Sequence, residues 1–115
     1  MVNAGWVFGR AHSLEELDLS NWDTSRMTHM EGMFSETTSL RELRLGVQFR
    51  FRISSWGNAR LPAIPPNTEV TGYWQNVGSG TVDNPTGVFV LTSAQLMLQF
   101  NGATMADIFV WQPVR

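Results

Sequence analysis

Leucines at 14, 17 and 19 fall in the order Leu-x-x-Leu-x-Leu, and the same spacing returns at Leu40, Leu43 and Leu45. A shift of 26 residues lays Ser13–Leu19 on Ser39–Leu45, Val7-Phe8 on Met33-Phe34, Met1 on Met27 and Ala4 on Met30. The expectation is a repeat of that length, with fewer than two full units and a start partway through a preceding one. In each unit the last two leucines alternate with polar residues, as on a strand with one buried face, and the first fills the core at the turn. Between the two leucine runs, Met27, Met30, Met33 and Phe34 recur at three- to four-residue spacing. That period predicts one short helix behind the strands, with the flexible methionines filling gaps in its packing.

After Gly46 the pattern becomes a strict alternation, Val47, Phe49, Phe51 and Ile53 against Gln48, Arg50 and Arg52, which predicts a terminal capping strand. Gly57 to Asn67 contains Pro62, Pro65 and Pro66 and reads as an irregular connector, because proline lacks a backbone donor and biases its predecessor away from helix. Beyond it, Thr71–Val77 and Val88–Leu91 read as two strands joined through the turns at Gly78-Ser79-Gly80 and Asp83–Gly87. Thr92, with Gln95 three residues on, is a helix start; Ala94, Leu96, Met97 and Phe100 give the helix an apolar side, and Asn101-Gly102 ends it. Asp107–Val114 closes the chain as a strand with Phe109 and Trp111 opposite Val110. The fold class predicted is α+β: a short repeat solenoid over 1–54 with its capping strand, a proline-rich connector over 55–70, and a small β-rich module over 71–115 with one helix near 93–101.

Composition narrows the chemistry. Of 115 residues 43% are hydrophobic and 16% charged, which is folded-protein composition. The net charge is -2 and every basic residue is arginine, so there is no field to gather a polyanion and nucleic acid is not an expected partner. Arg41, Arg44, Arg50 and Arg52 alternate with apolar residues and read as a solvated strand face. With no cysteine, disulfides, thiol catalysis and the common zinc sites are excluded. No apolar run has the length of a membrane span, and Met1–Ala11 lacks the pattern of a signal peptide, so any export address is expected outside this sequence.

The segment Ser13–Phe34, SLEELDLSNWDTSRMTHMEGMF, resembles the repeat of BspA-like leucine-rich-repeat surface proteins of Gram-positive bacteria: an LxxLDLS strand, an NWDTS turn and a helix ending in GMF. Arg26, Thr28 and His29 depart from the Asn- and Val-rich wording of that repeat. Residues 71–97 and 101–114 resemble the C-terminal module that follows the repeats in wall-anchored members, although no sorting motif follows here. The resemblance implies a leucine-rich-repeat solenoid and a non-enzymatic binding or adhesion role at the cell surface or wall. Its partner would be a protein, such as a host extracellular-matrix or cell-surface protein. The C-terminal part would cap the repeats and space them from the wall.

Candidate chemistry is sparse. His12 and His29 do not superpose in the repeat register and have no metal-ligand spacing, so no catalytic, cofactor or metal residue is nominated. Asp18, Asp23, Asp83 and Asp107 sit at turns or strand ends, where they can accept from nearby backbone donors. Thr92 and Ser93 lack an activating partner, and capping explains them. The five tryptophans are the residues best suited to recognition. Trp22, Trp56, Trp74 and Tyr73 are the candidate partner contacts, while burial is the competing role for Trp74 and Trp111. The alternative function is a carbohydrate-binding module using exposed Trp or Tyr. Stacked repeats leave an apolar end, so self-association through the open repeat end is also expected.

Overall fold

In the computed structural model, β1 (Val2–Asn3), β2 (Glu16–Leu19), β3 (Met27–His29) and β4 (Glu42–Leu45) precede β5 (Val70–Asn76) and β6 (Val90–Leu91). Then come α1 (Ser93–Gln99), α2 (Gly102–Met105) and β7 (Asp107–Pro113). The structure describes residues 2–3, 12–24, 27–29, 32–51 and 59–114, with 2–3 and 27–29 as backbone. Among these residues a mixed five-stranded sheet runs in the order β2-β4-β7-β5-β6 with few helices, consistent with an α+β or β-rich fold, and β1 and β3 form a separate two-stranded sheet.

The leucine repeat becomes a parallel ladder. β2 and β4 pair in perfect register, Leu17 beside Leu43 and Leu19 beside Leu45, at the 26-residue offset of the sequence pattern. β1 and β3 are also parallel, and Asn3 lies opposite His29 at the same offset. The row Leu17–Leu43 continues to Phe109 on β7, which runs antiparallel to β4. β7 also pairs with β5, so strands from both sides of the connector share one sheet. Leu43 and Phe109 are wholly buried in a core that also takes in Phe34, Trp74 and Leu96. Rings 49, 51, 100 and 109 form an edge-to-face chain, from Phe49–Phe51 at 5.0 Å through Phe51–Phe100 at 6.1 Å to Phe100–Phe109 at 6.0 Å. That geometry suits the ring quadrupoles.

Two predicted elements differ. Met27–His29 is strand, not the start of a helix, and Gly32–Glu36 is a run of turns. Gly32 and Glu36 both have positive φ (69° and 64°), a path no right-handed helix follows. Met33 and Phe34 are nevertheless buried, as their pattern implies, while Met30 lies outside the described residues. Where the capping strand is expected from Val47, the chain makes a turn at Val47-Gln48 and is in no strand from Phe49 to Phe51; residues 52 and 53 lie outside the described residues. The alternation is real, with Val47 69% exposed and Phe49 and Phe51 buried. Its backbone partner is Thr24, which donates its N–H to the Gln48 carbonyl and accepts from the Arg50 N–H through Oγ1 at 2.9 Å. The edge of β4 that such a strand would need is occupied by β7.

α1 begins with the predicted capping box: Thr92 Oγ1 accepts from Gln95 N at 3.2 Å, and the Gln95 side chain accepts from Thr92 N at 2.9 Å. The helix stops at Phe100, and Asn101 then caps α2, an element the sequence pattern did not suggest, by accepting from Ala103 N. Among the described residues no helix is long and apolar enough to cross a membrane.

Candidate functional site

β2, β4 and β5 all begin at the end of the sheet where β7 finishes, because β7 runs against both of its neighbours. At that end lies a cleft of about 410 Å³. Glu15, Glu16, Arg41 and Glu42 come from the starts of β2 and β4, Glu69 and Val70 from the start of β5, and Val110, Trp111 and Pro113 from β7. Val82 and Asp83 reach it from the β5–β6 loop. The in-register ladder is what assembles the acidic part: Glu16 pairs with Glu42, and Glu42 with Val110, across adjacent strands.

Among the described residues five carboxylates, half of the ten acidic residues in the chain, thus line the cleft against one guanidinium, that of Arg41. Like charges directly opposite on neighbouring strands repel. Arg44 offers Glu42 a partner at 3.7 Å. Among the described residues no guanidinium pairs with Glu15, Glu16, Glu69 or Asp83. Arg41 lies over the Trp111 ring, 5.0 Å from its centroid, where the negative face of the indole attracts it. The Trp111 Nε1 is buried and, among the described residues, makes no hydrogen bond. Val70 and Val110, both buried, supply an apolar floor.

One step along the strands the charge is balanced. Asp18 lies beside Arg44 in the β2–β4 ladder. Its carboxyl is held below its ordinary pKa, first by the hydrogen bond from the Ser20 hydroxyl, then by the Ser20 N–H, and to a lesser degree by Arg44. The uncompensated charge is therefore concentrated where the strands begin.

A family model described as "Mycoplasma protein of unknown function, DUF285" matches residues 2–60. The chain belongs to the DUF285 family. No curated protein and no solved structure matches it. The DUF285 region covers β1 to β4 and supplies Glu15, Glu16, Arg41 and Glu42 to the cleft, whereas Glu69, Asp83 and Trp111 come from the chain beyond it.

The aromatic candidates are not brought together. Trp22 is half-buried against the core just after β2, and Tyr73, 40% exposed, lies on β5, with β4 and β7 between those strands. Trp74 is 1% exposed, so it is a core residue and offers no contact surface. Its indole N–H donates to Ser93 Oγ at 2.8 Å, and that hydroxyl donates to the Pro62 carbonyl at 2.6 Å, which satisfies the buried polar groups. Trp56 lies outside the described residues. Among the described residues no group of three or more His, Asp or Glu is placed to hold a metal ion. The acidic cleft was missed because its glutamates are scattered from 15 to 69, with no local motif; the 26-residue register, which predicts Glu16 beside Glu42, was the available signal.

Proposed function

We propose that the chain is part of a non-enzymatic binding or adhesion protein on a bacterial cell surface, of the BspA-like leucine-rich-repeat kind. In this reading residues 1–54 are the last repeats of a solenoid, and the C-terminal module closes the solenoid and spaces it from the wall. The observation that carries the reading is the change of direction at β4. On one side β4 takes a parallel neighbour at the 26-residue offset, and on the other the antiparallel β7. A parallel ladder of repeats can propagate indefinitely, and an antiparallel strand from a different unit ends it while covering its last apolar row.

Binding is proposed to be to protein, through the open cleft beside the repeat strands. The test is the purified chain against arrays of extracellular-matrix proteins and of host and wall glycans. Saturable binding to protein is the expected result. Binding to glycans alone would replace this reading with a carbohydrate-binding one, and silence on both arrays would refute a binding role for this segment.

A further inference from the structure

The cleft has a chemical character that selects among protein partners. Among the described residues its lining holds five carboxylates and one guanidinium, a sum of -4 that Arg44, 3.7 Å from Glu42, offsets in part, although the whole chain carries only -2. The floor beneath those charges is aliphatic, with Val70 and Val110 buried and Val82 and Pro113 at the margin. A lysine or arginine side chain has this same division, an alkyl stem ending in a cation. The protein already places one such group there, since Arg41 lies 5.0 Å from the Trp111 centroid within the cleft.

Building on the proposed binding role, we infer that this cleft holds a basic extended segment of a protein partner. The stems of its lysines or arginines lie over the valines, and their charges meet Glu15, Glu16, Glu69 and Asp83. Charge complementarity carries the assignment: these four carboxylates are exposed and, among the described residues, no guanidinium pairs with them. Glu16 and Glu42 are also set directly opposite each other by backbone pairing, so their repulsion is built into the ladder and is offset on the Glu42 side by Arg44 at 3.7 Å. A cation between them relieves it.

The experiment uses a short fluorescent peptide alternating lysine and serine, with the glutamate–serine peptide as its opposite. The lysine peptide is expected to bind saturably at low salt and to weaken as salt screens the contact. The combined variant Glu15→Gln, Glu16→Gln, Glu69→Gln, Asp83→Asn changes exposed side chains only, and circular dichroism checks that it folds. It is expected to bind about tenfold more weakly or worse, four partly screened ion pairs having been removed. Glu16→Gln alone is expected to weaken binding, whereas Glu36→Gln, the same charge change outside the cleft, is expected to leave it unaltered. Failure of the lysine peptide to bind, or equal losses from Glu16→Gln and Glu36→Gln, would overturn the inference. The arrays separate the two ideas. Protein hits that survive in the combined variant would sink the basic-segment assignment and keep the adhesion role; lysine-peptide binding with no protein hits would do the reverse.

Discussion

Gly46→Ala should be among the most damaging single-methyl additions in this protein. Gly46 follows β4 as Ser20 follows β2, 26 residues apart, so the two positions stack in successive layers of the ladder. A Cβ at Gly46 would stand 1.9 Å from the Ser20 carbonyl oxygen, 2.7 Å from its carbon and 3.0 Å from its Cα. All three are backbone atoms, fixed by the pairing of Asp18 with Arg44 and of Leu19 with Leu45, so no rotamer change can clear the contact. More than an ångström of backbone movement is needed, and it must open the ladder or displace the buried Leu19 and Leu45. Overpacking with side-chain relief costs about 1–3 kcal/mol, so this substitution should cost about 3 kcal/mol or more. For a chain of this size that lowers Tm by about 12 °C or more. Urea denaturation followed by circular dichroism measures it. Gly72→Ala is the comparison: φ is +98° there, but the nearest atoms are at 3.4 Å, so the cost is backbone strain alone, about 1–2 kcal/mol. If Gly46→Ala proves no worse than Gly72→Ala, the two layers are not packed closely enough at Ser20 to exclude a methyl group.

Ser93→Ala removes the hydroxyl between Trp74 Nε1 and the Pro62 carbonyl and strands a buried indole N–H and a partly buried carbonyl; a loss of about 1–3 kcal/mol is expected in thermal or urea unfolding, with a change in tryptophan emission. Thr92→Ala breaks the capping box of α1 and should cost about 1 kcal/mol, whereas Thr92→Ser should recover most of it. The Asp18 carboxyl titrates below its ordinary value in the folded chain, so its contribution to stability is present above the unfolded pKa and is lost as pH falls through the folded one. Ser20→Ala, followed by NMR titration, should raise the Asp18 pKa toward its ordinary value; an unchanged pKa would mean that the Ser20 hydroxyl does not hold the carboxylate.

The elements that were legible are those whose physics is local or repeats exactly. Leu17 and Leu19 against Leu43 and Leu45 fix both the strands and their register, because a one-residue slip would turn the leucines out of the core. The Thr92–Gln95 box likewise needs only four consecutive residues. Periodicity misled where nonlocal pairing decides. The spacing of Met27, Met30 and Met33 fits a helix, but Met27–His29 pairs with β1 instead. The alternation from Val47 to Phe51 fits a strand, yet β7, more than fifty residues later, takes the β4 edge. Nothing near residue 47 could have disclosed that competition.

The cleft shows why a site can be invisible as a motif and still follow from the fold. The register that stacks Leu17 on Leu43 also sets Glu16 beside Glu42, since both pairs belong to one ladder. Burying a leucine side chain stabilises by about 1.5–3 kcal/mol, whereas a like-charged cross-strand pair costs about 0.2–1 kcal/mol, so the leucines dictate the register and the glutamates must accept it. The repulsion is local, tolerable and fixed in place. A surface that brings carboxylates together by backbone pairing has their backbone already in place when a cation arrives, and only the side-chain rotamers remain to be ordered. The Glu16–Glu42 part of this acidity is thus a consequence of the β2–β4 register, to which Glu69 and Asp83 are added from the chain beyond.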